Sequence, residues 1–264
     1  MNKIEQLKVE NKIIHGDSAN ILYDLPKKSV DLVVTSPPYS DLRKYGGVID
    51  TWNENKFKDI VRGLWNVLKD GGIVVWIVND KTEKGSKSLV SFKQALYFQE
   101  IGFNVNDVMI WQKTNPMPVV KQPRYQDVFE YMFIFSKGKP KTFNPIMIPC
   151  KCGGQEYKST TKNIGGENGR TYKEFNINKE KVKPNIWECA VSQNKTTHPA
   201  VFPEQLVIDH ILSWSNENDV VLDPFMGSGT TALACIKTNR KYIGIELNKD
   251  YVELSKKLIN GLVI

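Results

Sequence analysis

Short β-branched runs alternate along the chain with stretches of helical period. NKIIHGD (11–17) and VDLVVTSPPY (30–39) each begin as a strand, and a short helix around Ala19–Leu25 joins them. FKDIVRGLWNVLKDGG (57–72) places Ile60, Val61, Leu64, Val67 and Leu68 on one helical face and ends at Gly71-Gly72, a helix stop. GIVVWIV (72–78) is fully apolar, as a strand covered on both faces should be. A helix over SLVSFKQALYFQEIGF (88–103) and strands over VNDVMIWQK (105–113) and VFEYMFIFSK (128–137) follow. Further on, FPEQLVIDHILSWS (202–215) has helical spacing, DVVLDPF (219–225) is a strand, GTTALACIKT (229–238) opens a helix, RKYIGIEL (240–247) is a strand and KDYVELSKKLI (249–259) a last helix. The rhythm predicts an α/β fold, a mostly parallel twisted sheet with helices on both faces.

Periodicity fails between about Gly138 and Thr197, where the chain is polar and rich in Gly, Asn and Lys. We expect a loop-rich insert over 138–195, separating a catalytic half (1–137) from a second half (196–264). Charge sharpens this expectation. The chain carries a net +7, and Pro140–Lys195 holds ten Lys/Arg against five Asp/Glu, so most of the excess lies in about a fifth of the length. A basic insert suits nucleic-acid phosphates, and a merely solvated basic face has the same composition.

Composition narrows the class further. With 264 residues and 41% hydrophobic content, a large core is available. No stretch reaches the length and apolarity of a membrane span or of a signal peptide, so the expectation is a soluble cytoplasmic protein. Four cysteines (Cys150, Cys152, Cys189, Cys235) lack framework spacing and are expected as free thiols.

Two stretches carry chemistry. In VVLDPFMGSGTTALACI (220–236) a strand ends at Asp223, a turn with Gly227 and Gly229 follows, and a helix starts at Thr230-Thr231. Glycines admit a ligand close to the backbone, and the free N–H groups of a helix start favour a polar or anionic group. Glu246, closing the next strand, sits where the acid of a nucleoside-binding βαβ unit accepts from ribose hydroxyls. A triphosphate-binding loop would need a Gly-Lys-Ser/Thr ending, and MGSGTT has no lysine. The second stretch is TSPPYS (35–40), where a buried strand stops at two prolines and a tyrosine.

These motifs, in this order, resemble the S-adenosylmethionine-dependent DNA amino methyltransferases of the β group, with the Rossmann-like sheet and permuted order of that family. DPFMGSGTT resembles the family's cofactor loop, SPPY its catalytic tetrapeptide, HPAVFPEQL (198–206) the segment before the cofactor strand, and HGDS (15–18) the segment whose acid lies near adenine. The resemblance implies a cofactor set of Asp17, His198, Pro199, Phe202, Asp223, Phe225, Gly227, Gly229, Thr230, Thr231 and Glu246. It implies catalysis by Ser36, Pro37, Pro38 and Tyr39 on an exocyclic amine of double-stranded DNA. The prolines stiffen the loop so that the Pro37 carbonyl is a fixed acceptor. Ser36 would accept the second amine hydrogen, and Tyr39 would stack on the extruded base. Within the resemblance Ser36 favours cytosine N4 over adenine N6.

Two basic-aromatic loops, SDLRKYGG (40–47) and KTNPMPVVKQPRYQ (113–126), supply the expected DNA contacts Arg43, Lys44, Tyr45, Lys113, Lys121 and Arg124. A cognate restriction endonuclease acting separately is the companion of a restriction–modification role. Asp17 as a plain helix cap and His198 as a packing histidine are the bland alternatives. Pro149-Cys150 suggests ring-carbon methylation, but it falls inside the insert, and the catalytic position holds SPPY. Cys150-x-Cys152 lacks the usual zinc hairpin spacing, so no metal is expected. RNA or protein-glutamine methylation and a cofactor-free DNA-binding module remain as the rival functions.

Overall fold

Val30–Thr35 is buried at all six positions, and as β2 it forms the middle of an eight-stranded sheet in the computed structural model. The structure describes residues 9–38, 52–116, 118, 123–162, 170–191 and 203–261. In chain order the elements are β1 (Lys12–His15), α1 (Ser18–Asp24), β2, α2 (Glu54–Val67), β3 (Leu68–Val78), a hairpin of β4 (Thr82–Glu83) and β5 (Ser86–Lys87), α3 (Val90–Ile101), β6 (Asn104–Lys113) and β7 (Phe129–Ser136). Then come β8 (Met147–Pro149), β9 (Glu156–Lys162), β10 (Arg170–Asn176), β11 (Glu180–Val182), β12 (Ile186–Cys189), α4 (Glu204–Trp214), β13 (Val220–Asp223), α5 (Thr230–Lys237), β14 (Lys241–Glu246) and α6 (Lys249–Asn260).

The sheet order is β1-β14-β13-β2-β3-β7-β6-β12. Its pairs are parallel except those made by β7, which runs against both β3 and β6. The strands other than β7 therefore end at one edge, and the loops leaving that edge follow His15, Thr35, Val78, Lys113, Cys189, Asp223 and Glu246. In open α/β sheets ligands bind at this carboxyl edge. The expected Rossmann-like architecture is present.

The core beneath the edge is aromatic. Phe98 of α3 stacks on Phe135 of β7 at 4.1 Å and 5°, and Trp76 meets Phe98 edge-on at 5.2 Å. The buried Trp76 indole donates to Gln94 Oε1 at 2.8 Å, so its one polar atom is satisfied.

Two sequence expectations change here. Helix α2 ends at Val67 rather than at Gly71-Gly72, because Leu68 already pairs with Val30 and the Ser29 N–H donates to the Val67 carbonyl. The glycines instead turn within β3, where the Gly71 N–H donates to the Lys137 carbonyl at 2.7 Å. The aperiodic region also contains strands. Pro145–Pro184 forms a compact unit of its own, with β8 antiparallel to β11 and β9 antiparallel to β10, while residues to Asn144 and from Asn185 form the other unit. β12 joins β6 at the end of the main sheet, in parallel. All four cysteines are free thiols, with Cys235 buried and Cys152 exposed.

Candidate active site

Two of the edge loops are tied together beneath the surface. The Thr35 hydroxyl, closing β2, donates to Asp223 Oδ1 at 2.7 Å, and the Thr231 hydroxyl on the first turn of α5 donates to Asp223 Oδ2 at 2.7 Å. The Phe225 N–H also donates to Oδ1, at 3.0 Å. Asp223 is 2% exposed, and burial pushes its carboxyl above the usual value while these three bonds pull the other way. The visible work of Asp223 and Thr231 is thus a clasp. It joins the residue before Ser36 to the start of the helix that follows the glycine-rich turn.

Ser36 is half-buried, Pro37 buried and Pro38 half-buried. Tyr39 lies outside the described residues. On the other side of the clasp the chain turns through Gly227 and Gly229, both at positive φ, and α5 begins with Gly229 as its N-cap and no side-chain cap. A Cβ on Gly229 would stand 2.9 Å from Ser255 Cβ, so α6 and the loop touch backbone to side chain. Thr230, half-buried, follows on the helix.

Glu246 is half-buried at the end of β14. Its Oε2 accepts from the Gly227 N–H at 2.8 Å and Oε1 from the Asn248 N–H at 2.7 Å, which shapes the loop. Burial is the main cause that raises its carboxyl above the usual range. Each oxygen keeps a second lone pair for another donor. Asp17 caps α1, accepting from the Ala19 N–H at 3.0 Å, and its Oδ2 pairs with Lys56 of α2 at 2.8 Å. Ser18 beside it donates to the Pro224 carbonyl, which fixes the start of α1 against the turn that follows β13. Phe225 packs edge-on against Trp52 at 5.4 Å and Trp76 at 6.2 Å. His198, Pro199 and Phe202 lie outside the described residues.

The family described as DNA methylase matches residues 30–257, from β2 to α6. The chain belongs to that family. Orphan methyltransferase M.BamHII of Bacillus amyloliquefaciens is 46% identical over 89% of this chain and 91% of its own length. DNA adenine methyltransferase YhdJ of Escherichia coli strain K12 is 28% identical over 94% of this chain and 82% of its own. Among solved structures, the M1.HpyAVI–SAM complex has TM-score 0.60 and 26% identity, covering 94% of this chain and 98% of that one. The cytosine-N4-specific PvuII DNA methyltransferase has TM-score 0.66 and 23% identity, over 92% and 84%, a likeness of fold. The chain is thus a DNA amino-methyltransferase of the N4/N6 family, whose cofactor is S-adenosylmethionine.

The edge of this DNA methylase fits such a cofactor on its own chemistry. Glu246 offers acceptor capacity to hydroxyls, the uncapped N–H groups of α5 suit a carboxylate, and Gly227-Ser228-Gly229 leaves no Cβ at the two glycines between them. Of the expected DNA contacts, Lys113 is partly buried, with its ammonium 2.7 Å from Glu130 Oε1 and 5.3 Å from the centre of the Trp111 ring. Arg124 is exposed, 4.0 Å from Asp127. Arg43, Lys44, Tyr45 and Lys121 lie outside the described residues. Sequence reasoning missed Thr35, Ser18 and Lys56. Only the threonine had a signal, its place directly before the tetrapeptide.

Proposed function

We propose that this DNA methylase transfers the methyl of S-adenosylmethionine to the exocyclic N4 of cytosine in double-stranded DNA, by base flipping and direct transfer. The supporting observation is the Thr35–Asp223–Thr231 clasp, which holds Ser36-Pro37-Pro38 and the Gly227–Thr231 turn at one edge. Two groups that must meet at one atom are built on adjacent, parallel strands.

The exocyclic amine is a poor nucleophile because its lone pair is delocalised into the ring. Ser36 Oγ and the Pro37 carbonyl accept its two hydrogens and draw the nitrogen towards tetrahedral geometry. As the nitrogen gains the methyl it becomes cationic, and these oxygens stabilise the charge. The nitrogen then gives up one proton, through the Ser36 hydroxyl to solvent. Tyr39 stacks on the flipped ring, which compensates for lost stacking in the duplex. When bound, S-adenosylmethionine would supply an electrophilic methyl on a sulfonium, whose carbon–sulfur bond breaks to leave a neutral thioether. Asp17, Phe225, Gly227, Gly229, Thr230 and Glu246 hold and orient it, with His198, Pro199 and Phe202 on its methionine side, while Asp223 and Thr231 fix the loop from below. The insert, with Pro145–Pro184 as its compact part, reads the target sequence.

Adenine N6 is the second reading, favoured by the adenine specificity in the name of the Escherichia coli relative. It uses the same residues, since both bases present the same amine geometry. A separate endonuclease of matching specificity is the partner in a restriction–modification role. The test is incubation of the purified protein with unmethylated genomic DNA and isotopically labelled S-adenosylmethionine, followed by nucleoside mass spectrometry. Label in N4-methyldeoxycytidine is the expected result. Label in N6-methyldeoxyadenosine instead would overturn the choice of base and keep the mechanism.

A further inference from the structure

The carboxyl edge carries a second construction beside the tetrapeptide. β3 neighbours β2, and the chain leaving it forms the β4/β5 hairpin, with Glu83 paired to Ser86 and Thr82 to Lys87. Its two-residue tip, Lys84-Gly85, has φ of 48° and 81°, the signs of a type I′ turn. β7 is the next strand, and because it runs antiparallel its incoming segment, Pro123–Val128, starts from the same edge.

The hairpin and the segment are bound to each other. Lys87 Nζ pairs with Asp127 Oδ2 at 2.7 Å across 40 residues and also donates to the Asp80 carbonyl at 3.3 Å. Asp80 is buried, and its carboxylate accepts from the Ser88 hydroxyl at 2.9 Å, the Ser91 N–H at 3.1 Å and the Ser91 hydroxyl at 2.5 Å. The Ser88 N–H closes the hairpin base on the Lys81 carbonyl at 2.9 Å. The Lys87–Asp127 pair thereby links two connections that are separate in the chain, and the Asp80 bonds brace the hairpin side of that link.

What this piece presents outward is unlike what holds it. Lys84 is exposed, and among the described residues no acid pairs with it. Tyr125 is 97% exposed and Arg124 stands beside it. An aromatic ring left almost wholly in water, with an arginine preceding it in the chain, matches a surface for phosphates and an unstacked base. A lone exposed tyrosine would mean little, but the segment that carries this one is tied through Asp127 to Lys87, on the edge where the target base must arrive.

We infer that the Thr82–Lys87 hairpin and the Pro123–Asp127 segment form one DNA-contacting rim, with Lys84 on a phosphate and the Tyr125 ring against a base unstacked beside the target. The inference rests on duplex DNA being the substrate and is independent of which base is methylated. Extrusion leaves neighbouring bases without stacking partners, and the rim returns one.

The test compares wild type with Lys84→Ala, Tyr125→Ala and Tyr125→Phe on sheared unmethylated genomic DNA. Labelled-methyl transfer gives KM for DNA, anisotropy over a salt series gives duplex affinity, and calorimetry gives cofactor affinity. Tyr125→Ala should raise KM for DNA on the order of tenfold, while Tyr125→Phe stays near wild type. Lys84→Ala should lower the magnitude of the salt slope by about 0.9. Cofactor affinity and melting temperature should not change in any of the three. If wild type labels DNA and the alanine variants match it in KM and salt slope, the rim is not a contact. If wild type binds cofactor yet neither binds nor labels DNA, the substrate reading fails and the rim with it.

Discussion

Thr35 donates a 2.7 Å hydrogen bond to Asp223 across 188 residues of chain. The bond joins the last residue of β2 to the last of β13, so Ser36-Pro37-Pro38 and the glycine-rich turn after Asp223 begin from linked points. Both partners are buried, with Thr35 wholly so. Thr35→Val keeps the shape and removes the donor. It should cost about 1–3 kcal/mol in urea unfolding, because Asp223 loses one of its partners in a dry site. Turnover should fall as Ser36 loses its fixed start, whereas Thr35→Ser keeps the bond and should retain turnover. Equal turnover in Thr35→Val and wild type would show that the clasp does not position Ser36.

Asp223 sets a pH dependence whose sign follows from its burial. Burial raises its carboxyl above the ordinary 3.8. The folded protein then holds that proton more tightly than the unfolded chain. The contribution of Asp223 to stability is greatest below the ordinary value and declines as pH rises through the window above it. Asp223→Asn removes the titration, and the Thr231 hydroxyl can rotate to accept from the new amide. The melting temperature of Asp223→Asn relative to wild type should therefore increase from about pH 4 to about pH 7. A flat or falling difference would mean that Asp223 is stabilised as an anion.

The all-buried β2, the proline stop and the glycine-rich turn were readable because each is a local pattern. The clasp was not, since it depends on the parallel register that sets Val33 beside Leu222, and hydrophobic period says nothing of which strands adjoin. The end of α2 was misplaced because Gly71-Gly72 is a strong local stop, while the competing pairing of Leu68 with Val30 is non-local. The β4/β5 hairpin escaped because each strand is two residues long, too short for any period. Lys56 gave no sign of reaching Asp17, from which α1 and β2 separate it along the chain.

Ser36 separates chemistry from binding. Its hydroxyl is proposed to accept an amine hydrogen and pass a proton, so Ser36→Ala should lower kcat by on the order of a hundredfold or more. Cofactor affinity by calorimetry should hold within about twofold, since only interactions made in the transition state are lost. Collapse of cofactor affinity would place Ser36 in the binding site instead.

Gly229 tests whether the glycine-rich turn, proposed to hold the cofactor, needs its backbone conformation or only its small size. Its φ is +94°, and an added Cβ would lie 2.9 Å from Ser255 Cβ, on a residue buried in α6. Gly138 has φ of +78° with nothing within 4 Å of its added Cβ, so an alanine there meets the strain alone. Gly138→Ala should therefore cost about 1 kcal/mol in urea unfolding and leave cofactor affinity unchanged. Gly229→Ala should cost more, about 2–4 kcal/mol, because the clash adds to the strain. It should also weaken cofactor binding, because relieving the contact with Ser255 moves the start of α5, where Thr231 holds Asp223. Equal costs for the two variants would mean that the loop gives way freely and that its approach to α6 does not shape the site.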